Sequence, residues 1–148
     1  MIEITEVYDP VTDITTRALI GEATAKEMID YAKSASQDQQ PGKILWDYTN
    51  GAVEPMSRQS IKQIVDICQS VRFNPPDPVK VALVLKREID FRSSRIFQAI
   101  NNAAGGPFDI GIFADIDLAR CWLLSDTPGP RLKPFSPGTF IIETGTCG

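Results

Sequence analysis

The side chains whose type and position could carry out chemistry include three carboxylates. Asp47 follows a short apolar run, where open α/β sheets bind ligands, so it could accept a phosphoryl group or a metal ion. The residues favour a simpler interpretation, in which the Asp47 carboxylate bonds the loop after it. Asp115 and Asp117 could form an acid/base pair. Residues two apart on a helix do not face each other, so we interpret this pair as a helix cap with a favourable charge beside it.

Ser57 is the second kind of candidate. It follows Pro55 and precedes an apolar helical stripe that begins at Ile61. A serine there caps a helix, because its hydroxyl accepts from a backbone N–H two or three residues later. A phosphate there would face the positive helix end, where Arg58 and Lys62 could pair with it. The residues favour the cap and leave the phosphoacceptor open.

Two further stretches could bind an anion. Thr49-Asn50-Gly51 precedes a predicted helix, but the chain has no glycine-rich phosphate motif, so a turn is favoured. A basic cluster is interrupted by acidic residues, so a solvated helix entrance is favoured; its members are Lys86, Arg87, Arg92 and Arg95. The polar residues that could still form an interaction or ligand surface are Asp47, Thr49, Asn50, Arg58 and Lys62.

Composition excludes several classes of function. The 148 residues suit one domain, and 43% apolar with 23% charged residues is typical of a globular chain. A net charge of −4 argues against general nucleic-acid binding. The absence of histidine removes Ser-His and Cys-His pairs and the commonest metal ligand. We therefore expect no catalytic set, no metal and no cofactor.

The three cysteines lie far apart, without C-x-x-C spacing, so neither zinc sites nor disulfides are expected. Cys68 and Cys121 fall on apolar helix faces and are predicted to be small buried hydrophobes, whereas Cys147 is predicted to be exposed. The chain begins with acidic residues and contains no long apolar run, so the sequence predicts no signal peptide, no membrane segment and a cytoplasmic protein.

Apolar spacing predicts a regular order of elements. The predicted strands are residues 2–8, 13–20 (ended by Gly21), 43–48, 79–85 and 108–114. The predicted helices run from about 25 to 37, from Ser57 to about 71, from a cap at Asp90 to 104, and from a cap at Asp115 onward. Thr24 and Glu27 fit a capping box at the start of the first helix.

The predicted order, β-β-α-β-α-β-α-β-α, indicates an α/β fold with a mostly parallel mixed sheet and an opening antiparallel hairpin. Residues 1–124 are predicted to form this domain. Residues 125–148 contain four of the eleven prolines and four glycines, and are predicted to be an extended tail. Within the tail, residues 128–137 would be a stiff strap, and residues 139–142 would dock on a sheet edge or groove of the same or a second chain.

The order, with three stretches of sequence, resembles the STAS superfamily of anti-sigma-factor antagonists, and within it the SpoIIAA-like branch. The stretches are KILWDYTN at 43–50, VKVALVLK at 79–86 and FDIGIFADIDLARCWL at 108–123, which ends like the family's closing helix in Ala119 and Trp122-Leu123. The resemblance implies a STAS-like domain over about residues 1–124. The family's phosphoswitch, Asp-Ser-Ser-Gly, aligns with Pro55-Met56-Ser57-Arg58, so only its second serine is kept, as Ser57.

The resemblance and the missing catalytic set favour a non-catalytic regulatory or protein-interaction module. Its expected partner is an unidentified protein, with a homodimer left open, and neither nucleic acid nor a membrane is expected. The alternative is a small-molecule binding domain for an anionic or apolar ligand, with a pocket between the sheet and the second and third helices. An enzyme that uses carboxylates alone is the least favoured hypothesis.

Overall fold

The computed structural model describes residues 2–35, 37, 41–69, 79–104 and 108–125. Strands and helices alternate after an opening hairpin, in the predicted order. The elements are β1 Glu3–Asp9, β2 Ile14–Ala23, α1 Ala25–Ala35, β3 Lys43–Val53, α2 Arg58–Gln69, β4 Val79–Val84, α3 Glu88–Ala103, β5 Phe108–Phe113 and α4 Ile116–Leu124.

The five strands form one sheet in the order β1-β2-β3-β4-β5. β1 pairs antiparallel with β2, whereas the β2–β3, β3–β4 and β4–β5 pairs are parallel. Each parallel pair is joined across a helix, as parallel pairing requires. The predicted α/β class, the opening hairpin and the mostly parallel mixed sheet are confirmed.

Helices cover both faces of the sheet. On one face, α4 packs on the strands through Ala119, Trp122 and Leu123, against a buried set that consists of Ile14, Leu45, Ala82, Val84 and Phe113. On the other face lies a second buried set, which consists of Ile44, Val79, Val81, Leu83, Leu85 and Ile110. Helices α1, α2 and α3 lie over that second face, which we call the three-helix face.

Two predicted helix starts are confirmed at atomic detail. At α1, the Glu27 N–H donates to Thr24 Oγ1 and the Thr24 N–H donates to Glu27 Oε1, both at 3.1 Å, as a capping box requires. At α4, the Asp115 carboxylate accepts from the backbone N–H groups of Asp117 and Leu118. These local hydrogen bonds satisfy donors that have no partner inside the helix.

Two predicted boundaries are wrong. β2 does not end at Gly21, and Thr49-Asn50-Gly51 is not a turn but part of β3, which continues to Val53. The β2–β3 pairing shifts register between Ala18 and Ile20, so β3 carries a bulge there. Long-range pairing has overridden local turn propensity in both strands.

Two further predictions need correction. Asp90 does not cap α3: the cap residue is Arg87, and Asp90 lies buried inside the first turn. Among the described cysteines, Cys68 is free and Cys121 is disulfide-bonded, so the expectation of no disulfide is wrong for Cys121. Sequence spacing alone does not report which thiols meet in space.

Several predictions lie outside the described residues, among them the docking of residues 139–142, the strap at 128–137 and the exposure of Cys147. The domain boundary after residue 124 also stays a prediction. Among the helices of the described residues, none is long and apolar enough to cross a membrane.

Candidate functional site

A cavity of about 170 Å³ lies on the three-helix face, between the sheet and α1, α2 and α3. Most of the described side chains in its wall are apolar or aromatic. They include Met28, Tyr31, Ala32, Ile44, Trp46, Tyr48, Met56, Ile61, Ile64, Cys68, Leu83 and Phe97. The alternative hypothesis from the sequence placed a pocket between the sheet and the second and third helices, and this cavity lies there and also reaches α1.

The periodicities of the sequence explain why these side chains converge. Alternation along β3 turns Ile44, Trp46 and Tyr48 to the three-helix face. On α1, Met28, Ala32 and Ala35 fall on the side that faces the cavity. Because Ala32 and Ala35 are small, they leave space that a larger side chain would fill.

One side of the cavity, which we call the arginine end, is formed by Arg17, Tyr31 and Trp46. Arg17 is only 7% exposed, and its Nε donates to Glu6 Oε1 at 3.1 Å. Its guanidinium carbon lies 5.8 Å from the Tyr31 ring centroid and 5.7 Å from that of Trp46. The two rings meet edge to face at 5.5 Å. The buried positive charge is therefore stabilised by a carboxylate and by two aromatic faces.

A second part of the cavity wall, which we call the polar end, contains Tyr48, Asp90 and Ser94. Asp90 is 3% exposed, and Arg87 donates to both of its oxygens, from Nε at 2.8 Å and from Nη2 at 3.0 Å. The same Arg87 Nη2 donates to the Val53 carbonyl at 3.0 Å, which ties the start of α3 to the end of β3. The buried negative charge is thus also paired within the chain.

Burial alters the acidity of two groups in the cavity wall. It raises the pKa of Tyr48, and the nearby charge of Asp90 adds to this rise. Burial also raises the pKa of the Cys68 thiol to about 11, against a smaller opposing effect of Arg17. Both groups are therefore neutral at physiological pH.

Ser57, the candidate phosphoacceptor or cap, is exposed immediately before α2. Its Oγ accepts from the Ser60 N–H at 3.1 Å and lies 3.0 Å from Ser60 Oγ, which is cap geometry. Arg58 and Lys62 are exposed in the first turns of the same helix. The structure therefore brings these three predicted residues to one surface.

Asp47 does not join that surface. The Asp47 carboxylate accepts from the Thr49 N–H at 2.9 Å and from the Thr49 hydroxyl, as the simpler interpretation had it. Alternation places Asp47 on the same side of β3 as Leu45, which packs towards α4. The sheet thus separates Asp47 from Arg58 and Lys62, which lie on α2 over the opposite face.

The polar members of the cavity wall do not follow from the patterns in the sequence. Asp90 was interpreted as a cap, and neither Arg17 nor Tyr48 was singled out. A signal existed for Arg17, because it is a charged residue inside an otherwise apolar and β-branched strand. Within the described residues, no group of three or more His, Cys, Asp or Glu side chains could hold a metal ion.

Comparison with solved structures finds chains of similar fold. The chain is similar to an uncharacterised protein of the DUF3478 family from Shewanella loihica PV-4, whose crystal structure is described as having a SpoIIAA-like fold. The two are 16% identical, the match covers 82% of this chain and 93% of that one, and the TM-score is 0.47. No family model matches the chain, and no curated protein matches it.

Proposed function

We propose that this chain is a non-catalytic binding domain that holds a small, neutral, mainly apolar molecule in the cavity of the three-helix face. The observation that carries the proposal is an apolar cavity of about 170 Å³ whose two buried charges are already paired within the protein. Ligand sites are typically concave and apolar, with a few polar groups that fix orientation.

The paired charges favour a neutral ligand over an anionic one. Arg17 is bonded to Glu6, and Asp90 is bonded by both of its oxygens to Arg87. An ionised ligand would lose its hydration in an apolar cavity, and no uncompensated protein charge would repay that cost. Of the two ligand chemistries left open by the sequence, the apolar one is therefore preferred.

The volume limits the size of the ligand. An engineered cavity of about 150 Å³ lined by Leu, Ile and Phe binds benzene in another protein. The cavity of this chain is of similar volume, so a single ring with one or two substituents fits it, whereas a long lipid chain does not. The aromatic side chains Trp46, Tyr31 and Phe97 supply contact surface for such a ring.

The test compares a neutral probe with a charged probe of the same size. Toluene and benzoate are titrated against the full chain at pH 7, with the melting temperature and the fluorescence of Trp46 as readouts. Toluene at 100 times its Kd should stabilise the folded chain by about 2.7 kcal/mol. Trp122, the other tryptophan, packs on the α4 face, so Trp122→Phe should keep the fluorescence response and Trp46→Phe should lose it.

A cavity-filling variant provides the control. Ala32→Phe places a ring in the cavity and should abolish the toluene response, while Ala99→Phe adds the same ring at an exposed position of α3 and should preserve it. Native mass spectrometry of freshly purified chain then identifies a co-purified molecule. Absence of toluene binding, or tighter binding of benzoate, would contradict the proposal.

A second candidate function is regulation through a protein partner, because one observation connects the cavity to an exposed surface. Met56 lines the cavity, and the next residue is the cap Ser57, followed by the exposed cations Arg58 and Lys62. A ligand that displaces Met56 would therefore shift the start of α2. We propose that this surface contacts an acidic patch of a partner protein.

Affinity purification from the source cell tests the second candidate. Arg58→Glu with Lys62→Glu should lose a partner that the wild-type chain retains, while Lys26→Glu with Lys33→Glu on α1 should keep it. Phosphopeptide mapping of the same material examines Ser57. A partner retained by the Arg58 and Lys62 variant would place the contact elsewhere and contradict this candidate.

A further inference from the structure

We infer that the molecule bound in the cavity carries a hydroxyl group, which hydrogen-bonds at the polar end to Tyr48, Asp90 and Ser94. This inference rests on the proposed function and specifies the ligand class: an un-ionised phenol or a cyclic alcohol, rather than a hydrocarbon.

The hydroxyl of Tyr48 can donate a hydrogen bond to a ligand or accept one from it. Its side chain lines the cavity, and among the described residues its hydroxyl has no hydrogen-bond partner. Tyr48 is half-buried, and its hydroxyl is not among the fully enclosed polar atoms that lack a partner, so it is accessible and can bond a ligand oxygen. A ligand oxygen in the cavity would supply that partner.

Asp90 and Ser94 favour a hydrogen-bond donor, rather than an acceptor, on the ligand. Each oxygen of the Asp90 carboxylate accepts one hydrogen bond from Arg87, and a carboxylate oxygen can accept a further one. Ser94 lies one helical turn after Asp90, is 8% exposed and lines the same cavity. The remaining acceptor sites of the Asp90 carboxylate favour a ligand that donates a hydrogen bond, so a hydroxyl fits better than a carbonyl or an ether, which can only accept.

The arginine end does not offer the same chemistry. Arg17 is a donor only, and its Nε is bonded to Glu6. The rings of Tyr31 and Trp46 flank it, so that end is suited to the flat, apolar part of a ligand. A ring would thus lie towards Trp46 with its hydroxyl towards Tyr48.

The test uses two probes of equal size, p-cresol and p-xylene, which differ by a hydroxyl in place of a methyl group. Their affinities for the full chain are measured by calorimetry with wild type and Tyr48→Phe. We expect Tyr48→Phe to weaken p-cresol about fivefold, the effect of losing one neutral hydrogen bond, and to leave p-xylene unchanged or slightly tighter. Tyr8→Phe is the matched control, because Tyr8 is an exposed tyrosine outside the cavity wall, and should alter neither affinity.

The outcomes separate this inference from the proposed function. If neither probe binds the wild-type chain, the proposed function fails and this inference fails with it. If both bind and Tyr48→Phe leaves their ratio unchanged, the cavity binds ligands but the hydroxyl inference is overturned. Retained p-xylene binding shows that the cavity of the Tyr48→Phe variant is intact. If that variant no longer binds p-xylene, the affinities of Ser94→Ala for the two probes are compared with those of wild type instead.

Discussion

Arg87 holds the buried carboxylate of Asp90 with two hydrogen bonds, Nε to Oδ2 at 2.8 Å and Nη2 to Oδ1 at 3.0 Å. The two side chains differ greatly in exposure, since the Asp90 side chain is buried and the Arg87 side chain is 44% exposed. The half-exposed Arg87 therefore supplies the positive charge that stabilises the buried Asp90 carboxylate at the polar end of the cavity. Its third contact, to the Val53 carbonyl, joins α3 to the strand that forms the cavity floor.

Removal of Arg87 should be strongly destabilising. Arg87→Met leaves the Asp90 carboxylate buried without its counter-charge, and we expect a loss of about 3 kcal/mol in the free energy of unfolding, measured by urea denaturation. The double variant Arg87→Met with Asp90→Leu should recover much of that loss. Arg120 and Asp117, which are also three residues apart on a helix, form an exposed ion pair with Nη1 and Oδ1 3.8 Å apart. Arg120→Met should therefore lower the free energy of unfolding by less than about 0.5 kcal/mol. Equal losses at the two arginines would contradict this account.

Gly51 permits the close approach of β2 to the bulged part of β3. A Cβ at this position would collide with the backbone carbonyl of Leu19. Gly51→Ala should therefore destabilise the chain by about 1–3 kcal/mol, the usual range for overpacking. Gly42 is the internal control, because a Cβ there meets nothing within 4 Å, and Gly42→Ala should be nearly neutral when both variants are compared with wild type by urea denaturation. A neutral Gly51→Ala would show that the strands can separate without loss.

The elements that sequence analysis predicted correctly are those decided by local hydrogen bonds and by periodicity. Thr24 with Glu27, and Asp115 with the following turn, need only three or four residues to define them. The extended ends of β2 and β3 were missed because Gly21 and Asn50-Gly51 are strong local turn formers. Their strand conformation depends on pairing with each other across the sheet.

The cavity also combines features that local sequence determines with features that depend on distant residues. Its apolar wall follows from helix and strand spacing, whereas its polar groups depend on distant partners. Glu6 and Arg17 face each other directly in the β1–β2 register, so their pair could have been found once the length of the hairpin turn was known. The burial of Asp90 follows from how α3 docks on the sheet, which no local pattern in the sequence expresses.

The Ser57 cap should contribute to stability independently of any signalling role. Ser57→Ala removes the acceptor for the Ser60 N–H and should cost about 1 kcal/mol in the free energy of unfolding. Ser57→Asp should cost little, because aspartate caps as well as serine does. Ser34 is exposed on α1 and serves as the control: Ser34→Ala should be neutral or slightly stabilising, since alanine favours the helix. An Asp variant as unstable as the Ala variant would argue against capping.

The alkylation rate of the Cys68 thiol measures the accessibility of the cavity wall. Because burial raises the pKa of its thiol from 9.0 to about 11, the thiolate that reacts with iodoacetamide is about 100-fold scarcer at pH 7 than in an exposed cysteine. Alkylation of the Cys68 peptide, followed by mass spectrometry, should be correspondingly slow in the folded chain and fast in urea. Bound p-cresol should slow it further, since Cys68 lines the cavity. Rapid alkylation of the folded chain at pH 7 would contradict the burial of this thiol.

The same raised pKa makes stability depend on pH in one direction. Between pH 9 and 11 the unfolded chain loses the Cys68 proton while the folded chain keeps it, so the unfolded state binds fewer protons and the free energy of unfolding falls as pH rises. The fall is at most about 1.4 kcal/mol per pH unit from this group, and none is expected from it between pH 6 and 8. Cys68→Ala should make the alkaline limb of a melting-temperature profile shallower. An identical limb in the variant would mean that the thiol is more accessible to water than its place in the cavity wall implies.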